Sequence, residues 1–261
     1  MTLAELNHIY NMDCVEGMRM LSDNSIDCII IDPPYSVSAA DWDKALPMEA
    51  LWSEIKRIRK PYAPILMFGI EPFSSRLRMS NLSEYRYDLI WAKSRPTGFV
   101  HAKNMPLRKH ENISVFCQYG VGHVSRMNGK RMPYYPQGLK PNGKTYKKSR
   151  RKFGATIAMR GSQKPTWVSE YSNYPTSIMR YASEGKCIHP TQKPLALIEN
   201  LIKTYSKQGD CVLDCCMGSG TTALACIHTQ RNYIGFESDE TIYNQSIKRI
   251  NDDTNTEMAL R

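Results

Sequence analysis

Three short apolar runs in this 261-residue chain end on an acid: CIII at 28–31 runs into Asp32, VL at 212–213 into Asp214, and YIGF at 233–236 into Glu237. Brief apolar runs flanked by turn residues read as strands buried on both faces. Between and after them lie segments with apolar residues at helical spacing: MEALWSEIKRI at 48–58, PLALIENLIKTYS at 194–206, TTALACIHT at 221–229 and ETIYNQSIKRI at 240–250. Strands alternating with helices argue for an α/β fold, a mostly parallel sheet covered on both faces. Further strands are expected at 8–12, 64–69, 87–93 and 113–119, and a short helix at 14–21; the polar tail after residue 250 is expected to fray. The length and the 41% hydrophobic content suit one domain with a small insertion.

Charge locates the insertion. The chain carries +10, yet from Asn112 to Ser169 it has no Asp or Glu and twelve Lys or Arg, so the remainder is near neutral. The basic residues are Arg126, Lys130, Arg131, Lys140, Lys144, Lys147, Lys148, Arg150, Arg151, Lys152, Arg160 and Lys164, interleaved with Tyr134, Tyr135, Tyr146, Phe153 and Trp167. A solvated face mixes both signs; one that excludes acids suits a track along phosphates. Regular patterning is lost across the same stretch, which divides the chain into 1–119, a basic region at 120–186, and 187–261. The opening MTLAELNHIYNMD has no basic leader, and no segment approaches the roughly 18 apolar residues of a membrane span. The eight cysteines include no C-x-x-C. Cys187 with His189, or Cys211 with Cys215, lacks a matching second pair of ligands. A cytoplasmic protein is expected, with no metal and no membrane contact.

Two stretches carry chemistry. In LDCCMGSGTT a strand ends at Asp214, a glycine turn follows, and a helix begins near Thr221. Strand, glycine turn and helix N-terminus bind nucleotide-like ligands at the carboxyl ends of parallel strands. Gly218 and Gly220 would allow close backbone approach, and no Lys precedes Thr221, so this is not a phosphate loop of the Walker type. Glu237, at the tip of the next strand, is placed to bind ribose hydroxyls. In IIIDPPY, prolines 33 and 34 fix the backbone after a buried strand. The Asp32 carboxylate and the Pro33 carbonyl are two acceptors for an NH2 group, and Tyr35 is a flat face for a planar ring. The plain alternative is a turn that closes a strand.

These residues resemble the S-adenosylmethionine-dependent DNA methyltransferases that modify exocyclic amines. Asp32-Pro33-Pro34-Tyr35 is similar to their catalytic motif, and Asp214, Gly218, Ser219, Gly220, Thr221 and Thr222 to their methionine-binding loop. HPTQKP at 189–194, with Thr191 and Lys193, is similar to a third motif that flanks the cofactor; Asp13 and Cys14 fall where the cofactor's adenine is expected. DWD at 41–43, RKHENISVF at 108–116 and NYPTSIMRY at 173–181 also look familiar. The order, catalytic motif first and cofactor loop last, resembles the beta arrangement, a circular permutation of the usual Rossmann-like seven-stranded sheet. One departure is Cys215-Cys216, where the family usually has Pro-Phe.

The resemblance implies methyl transfer from S-adenosylmethionine to N6 of an adenine flipped out of double-stranded DNA, with the basic residues from Arg126 to Lys152 on the DNA. Cytosine N4 is the nearest alternative, although members acting on cytosine more often carry Ser in place of Asp32. An RNA base methyltransferase and a catalytically dead DNA-binding module are the others. Association with the nucleoid of a bacterial or phage-infected cell is expected; a homodimer, and the choice between a restriction partner, a phage enzyme and a solitary regulator, are open at this point.

Overall fold

The computed structural model describes residues 5–35, 46–123, 126–147, 166–185, 187–189 and 191–259. In chain order the elements are β1 (His8–Asn11), α1 (Cys14–Arg19), β2 (Cys28–Ile31), α2 (Met48–Ile58), β3 (Ile65–Gly69), α3 (Phe73–Ser80), β4 (Tyr85–Thr97) and β5 (Arg108–Phe116). There follow β6 (Lys140–Lys147), β7 (Thr166–Ser172), β8 (Ile178–Tyr181), α4 (Leu195–Tyr205), β9 (Cys211–Asp214), α5 (Thr221–Thr229), β10 (Asn232–Glu237) and α6 (Glu240–Ala259). Two compact units are formed, Met1–Tyr135 with Ser177–Arg261, and Pro136–Thr176. No described helix is long and apolar enough to cross a membrane.

The larger unit holds a sheet of order β1-β10-β9-β2-β3-β5-β4-β8. β5 runs antiparallel to both its neighbours, and the other pairs are parallel. The expected seven strands are all present, and β8 adds an eighth at the edge, parallel to β4. Period-two alternation sends side chains to two cores. Cys28 and Ile30 of β2, Leu66 and Phe68 of β3, and Val212 of β9 join Leu197, Leu201 and Leu224 on one side. Ile29, Ile31, Ile65, Met67 and Leu213 join Met18, Leu51, Trp52 and Ile55 on the other. Each fully buried Ile or Leu contributes about 1.5–3 kcal/mol, so these strands hold their register firmly: a slip by one residue would exchange the two cores.

The helices at 48–58, 194–206 and 221–229 lie where periodicity places them. Three features differ from expectation. α3 is too polar to show an apolar stripe, burying only Ser74 and Leu77; the Glu71 carboxylate stabilises its start by accepting from Ser75 N–H at 3.1 Å and Ser75 Oγ at 2.7 Å. α6 continues to Ala259 instead of fraying after 250. Asp253 explains the extension: its Oδ2 lies 2.7 Å from His228 Nε2, tethering the polar last turns to α5. The basic region is also less irregular than expected, because it contains β6, β7 and β8.

Residues 120–135 and 177–186 belong to the larger unit. Met132 is buried and donates its N–H to the Gly120 carbonyl at 3.0 Å, and Tyr135 N–H reaches the Thr204 carbonyl at 2.8 Å. The smaller unit is an antiparallel pair, β6 with β7, carrying a register shift between Pro141 and Lys144. Asn173 closes its base by donating to the Gly138 carbonyl at 2.7 Å.

Candidate active site

β2, β9 and β10 lie side by side and parallel, so the acids that end their runs emerge at one edge of the sheet. A cleft of about 1050 Å³ opens there. It is lined by Asp13, Cys14, Asp32, Pro33, Pro34, Tyr35, Thr191, Lys193, Asp214, Gly218, Ser219, Thr221, Thr222 and Glu237. Of the catalytic and cofactor-binding residues expected from sequence, only Gly220 is not among the lining residues. Gly220 has φ +75°, and a Cβ there would meet Ser246 and Ile250 of α6 at 3.2 Å, so its lack of a side chain serves helix packing. Gly218, at φ +53°, would place a Cβ no nearer than 3.8 Å to the Cys216 carbonyl, which leaves its surroundings open.

On the β2 side, Asp32 is gripped from two directions. The Tyr35 hydroxyl donates to Oδ1 at 2.5 Å, and the Lys193 ammonium pairs with Oδ2. Phe73 braces the Tyr35 ring, with centroids 5.3 Å apart and planes 32° apart. Lys193 was expected on the cofactor; its direct partners are Asp32 and, with Nζ 3.3 Å from Oε2, Glu111. Glu111 pairs in turn with Lys93 through Oε1. The signs alternate from Lys93 on β4 through Glu111 on β5 and Lys193 ahead of α4 to Asp32 after β2. Side-chain exposure is 13, 9, 7 and 23% along that row, so Asp32 is the end that opens to the cleft.

Burial raises the Asp32 pKa, the adjacent Lys193 charge opposes the rise, and Glu111 adds to it. Burial works against the Lys193 charge, but Asp32 and Glu111 outweigh it and hold the ammonium above its ordinary range. Burial also works against the Glu111 charge, and Lys193 and Lys93 together bring that carboxyl below the usual value. Lys93 and Glu111 were not among the residues expected from sequence.

On the β9 side the acids meet neutral donors. Asp214 accepts from the Thr222 hydroxyl at 2.6 Å and from Cys216 N–H at 3.0 Å, and burial pushes its pKa up to about 7. Glu237 accepts from Gly218 N–H and Asp239 N–H, both at 2.9 Å, which fixes the glycine loop against β10. Asp13 caps α1, accepting from Val15 N–H at 2.8 Å and Glu16 N–H at 3.1 Å. Cys215 and Cys216 line the cleft together with Cys14, and the two neighbouring thiols lower the Cys14 pKa. His189 also lines the cleft, and burial lowers its pKa.

The basic residues expected on a polyanion divide by position. Arg126, Lys130 and Arg131 are exposed in the larger unit, and Lys140 and Lys144 are exposed on β6. Lys147 ends β6 opposite Thr166. Lys148, Arg150, Arg151 and Lys152 lie outside the described residues, as do Arg160, Lys164 and the DWD stretch at 41–43.

Comparison with known proteins gives one answer. A sequence model of the family described as DNA methylase (N6_N4_Mtase) matches residues 26–248. The chain is 27% identical to the Type II methyltransferase M1.MboII of Moraxella bovis over 266 residues, covering 94% of this chain and 96% of that one. Its fold is similar to that of M1.HpyAVI, solved as a complex with SAM, at TM-score 0.59 and 22% identity, covering 93% of this chain and 98% of that one. It is similar also to the PvuII DNA methyltransferase, described as cytosine-N4-specific, at TM-score 0.63 and 13% identity, covering 96% and 92%.

Proposed function

We propose that this chain, which belongs to the DNA methylase family, transfers a methyl group from S-adenosylmethionine to N6 of an adenine flipped out of double-stranded DNA. The observation that carries the reading is Asp32: a half-buried carboxylate at a strand tip, fixed by Tyr35 and Lys193, in the same cleft as a glycine turn and a second strand-tip acid.

The β9 side suits the cofactor. Gly218 leaves open space, Glu237 retains a lone pair on each oxygen for ribose hydroxyls, and the cleft has room for a nucleoside beside a base. Asp13, Asp214, Gly218, Ser219, Thr221 and Glu237 would hold S-adenosylmethionine, which when bound supplies an electrophilic sulfonium methyl group. Asp32 accepts a hydrogen of the target amine, turns the nitrogen lone pair out of conjugation with the ring, and opposes the positive charge that develops there. Its raised pKa makes it a better proton acceptor than an exposed aspartate, so it takes the proton the product nitrogen sheds. The braced Tyr35 ring offers a stacking face to a base extracted from the duplex, where stacking returns about 1–3 kcal/mol of the flipping cost. Exposed Arg126, Lys130, Arg131, Lys140 and Lys144 supply phosphate contacts.

N4 of cytosine is the second reading, favoured by the shared fold with a cytosine-N4-specific enzyme. Aspartate rather than serine at position 32 supports adenine. The test is incubation of unmethylated DNA with the protein and S-adenosylmethionine, followed by nucleoside mass spectrometry. N6-methyldeoxyadenosine is expected with the native protein, and with Asp32→Ala at a rate lower by about a hundredfold or more. N4-methyldeoxycytidine would overturn the choice of base, and a fully active Asp32→Ala would overturn the mechanism.

A further inference from the structure

Glu111 is an anomaly in the charged row. It is buried, and its Oε2, outside hydrogen-bonding geometry, keeps a 3.3 Å ion-pair contact with Lys193 Nζ that is longer than the contact the same ammonium makes with Asp32. The ammonium lies closer to Asp32, so one buried cation is shared unequally between two carboxylates. A cation so placed can move toward either carboxylate as the charge around it changes.

Each Asp32 oxygen retains a lone pair for an amine, so charge rather than acceptor capacity favours a shift of the ammonium. In the structure both Asp32 oxygens are engaged, Oδ1 by Tyr35 and Oδ2 by Lys193. A target amine must find an acceptor there, and its nitrogen becomes positive as the methyl group arrives. An ammonium held against the same carboxylate repels the developing charge. The ring of Phe68, 5.1 Å from Lys193 Nζ, gives the ammonium an apolar surface along which to shift, and Lys93 holds Glu111 in place from the far side.

We propose that Glu111 is a positioning residue for methyl transfer: it is the second seat for the Lys193 ammonium, which leaves Asp32 for Glu111 Oε2 when the target amine binds. With Lys193 on Glu111, Asp32 faces the amine without a competing cation, and its proton affinity rises as the ammonium withdraws. The inference rests on the reading of Asp32 as the acceptor of that amine. The other ionisable groups lining the cleft are Asp13 and Cys14 at the start of α1, Arg95 and Arg108 from β4 and β5, Glu184, Cys187 and His189 between β8 and α4, Asp214, Cys215 and Cys216 at the end of β9, and Glu237 and Asp239 at the end of β10.

The test is steady-state methylation of unmethylated DNA by Glu111→Gln across pH 5–9. The expected result is a kcat lower by about tenfold or more, with KM for S-adenosylmethionine within about twofold of native. Neutralising Glu111 removes a charge that raises the Asp32 pKa, so the acidic limb of the rate profile moves to lower pH. Glu111→Asp restores the limb. In a Lys193→Met background, where no ammonium needs a second seat, Glu111→Gln has little further effect. A native rate and an unmoved limb in Glu111→Gln, with Asp32→Ala strongly impaired, overturn this inference and leave the function standing. A loss of rate with no movement of the limb, equally severe in Lys193→Met, shows a merely structural role and also overturns it. Full activity of Asp32→Ala overturns the reading beneath it.

Discussion

The tips of β2 and β9 offer the same position in adjacent parallel strands and fill it with the same residue. Asp32 and Asp214 both have a pKa raised by burial, yet their partners differ in kind. Asp32 faces a cation and a phenol; Asp214 faces a hydroxyl and a backbone amide. Neutral donors leave burial in command at Asp214, whose pKa reaches about 7. At Asp32 a positive neighbour opposes burial and a further acid reinforces it. The contrast teaches that a strand tip supplies a location, while the residues arriving from other elements decide the chemistry. On the proposed function, the Asp32 carboxylate suits a partner that becomes charged during reaction, and Asp214 one already charged on arrival.

The largest effect separating the two tips should come from Asp32→Ala. A rate loss of about a hundredfold or more is expected with cofactor binding retained, as when a group acting mainly on the transition state is removed. Asp214→Asn should do the converse, altering cofactor affinity more than turnover. Because the folded pKa of Asp214 lies above the value in an unfolded chain, the apo protein holds this proton up to about pH 7; its contribution to stability is whole below about pH 4, is lost progressively as pH rises from there, and is gone above about pH 7. A cationic ligand favours the ionised form, so binding releases the proton, and affinity should rise several-fold between about pH 6 and 8. Calorimetry at both pH values checks this; Asp214→Asn should flatten the rise, and an unchanged slope would remove Asp214 from contact with the cofactor's charge. The smallest effect is expected from Thr222→Val, which deletes one hydrogen bond to a buried carboxylate. It should cost about 1–3 kcal/mol in thermal or denaturant unfolding and push Asp214 higher still, leaving the rate at saturating cofactor close to native.

The parallel strands of the site were legible because a buried strand writes its end into the sequence: apolar run, then acid. Asp32, Asp214 and Glu237 all follow that grammar, and each lines the cleft. Glu111 escaped by obeying it in reverse. β5 is antiparallel, with Asn112 opposite Gly69 at the end of β3, so its residue at the same edge of the sheet precedes the apolar run ISVF. An acid one residue ahead of a buried run, here with Asn112 between, in a strand of opposite direction is the mark that would have found it. Lys193 was singled out, but its partners depend on β2 and β5 converging from distant parts of the chain, which no local pattern records. α3 and the far end of α6 were illegible for a different reason. Both are polar, and α6 is secured by a tertiary contact, His228 to Asp253, rather than by an apolar stripe.

The strand order carries a consequence for how the protein is made. Among the described strands β1, residues 8–11, pairs only with β10 at residues 232–237, and β2 meets β9 across more than half the chain. β1 therefore stays unpaired until the polypeptide through residue 237 has left the ribosome, and non-local pairing of this kind is slow. The cleft is completed late: a nascent fragment that stops before β9 carries Asp32 without Asp214 and Glu237.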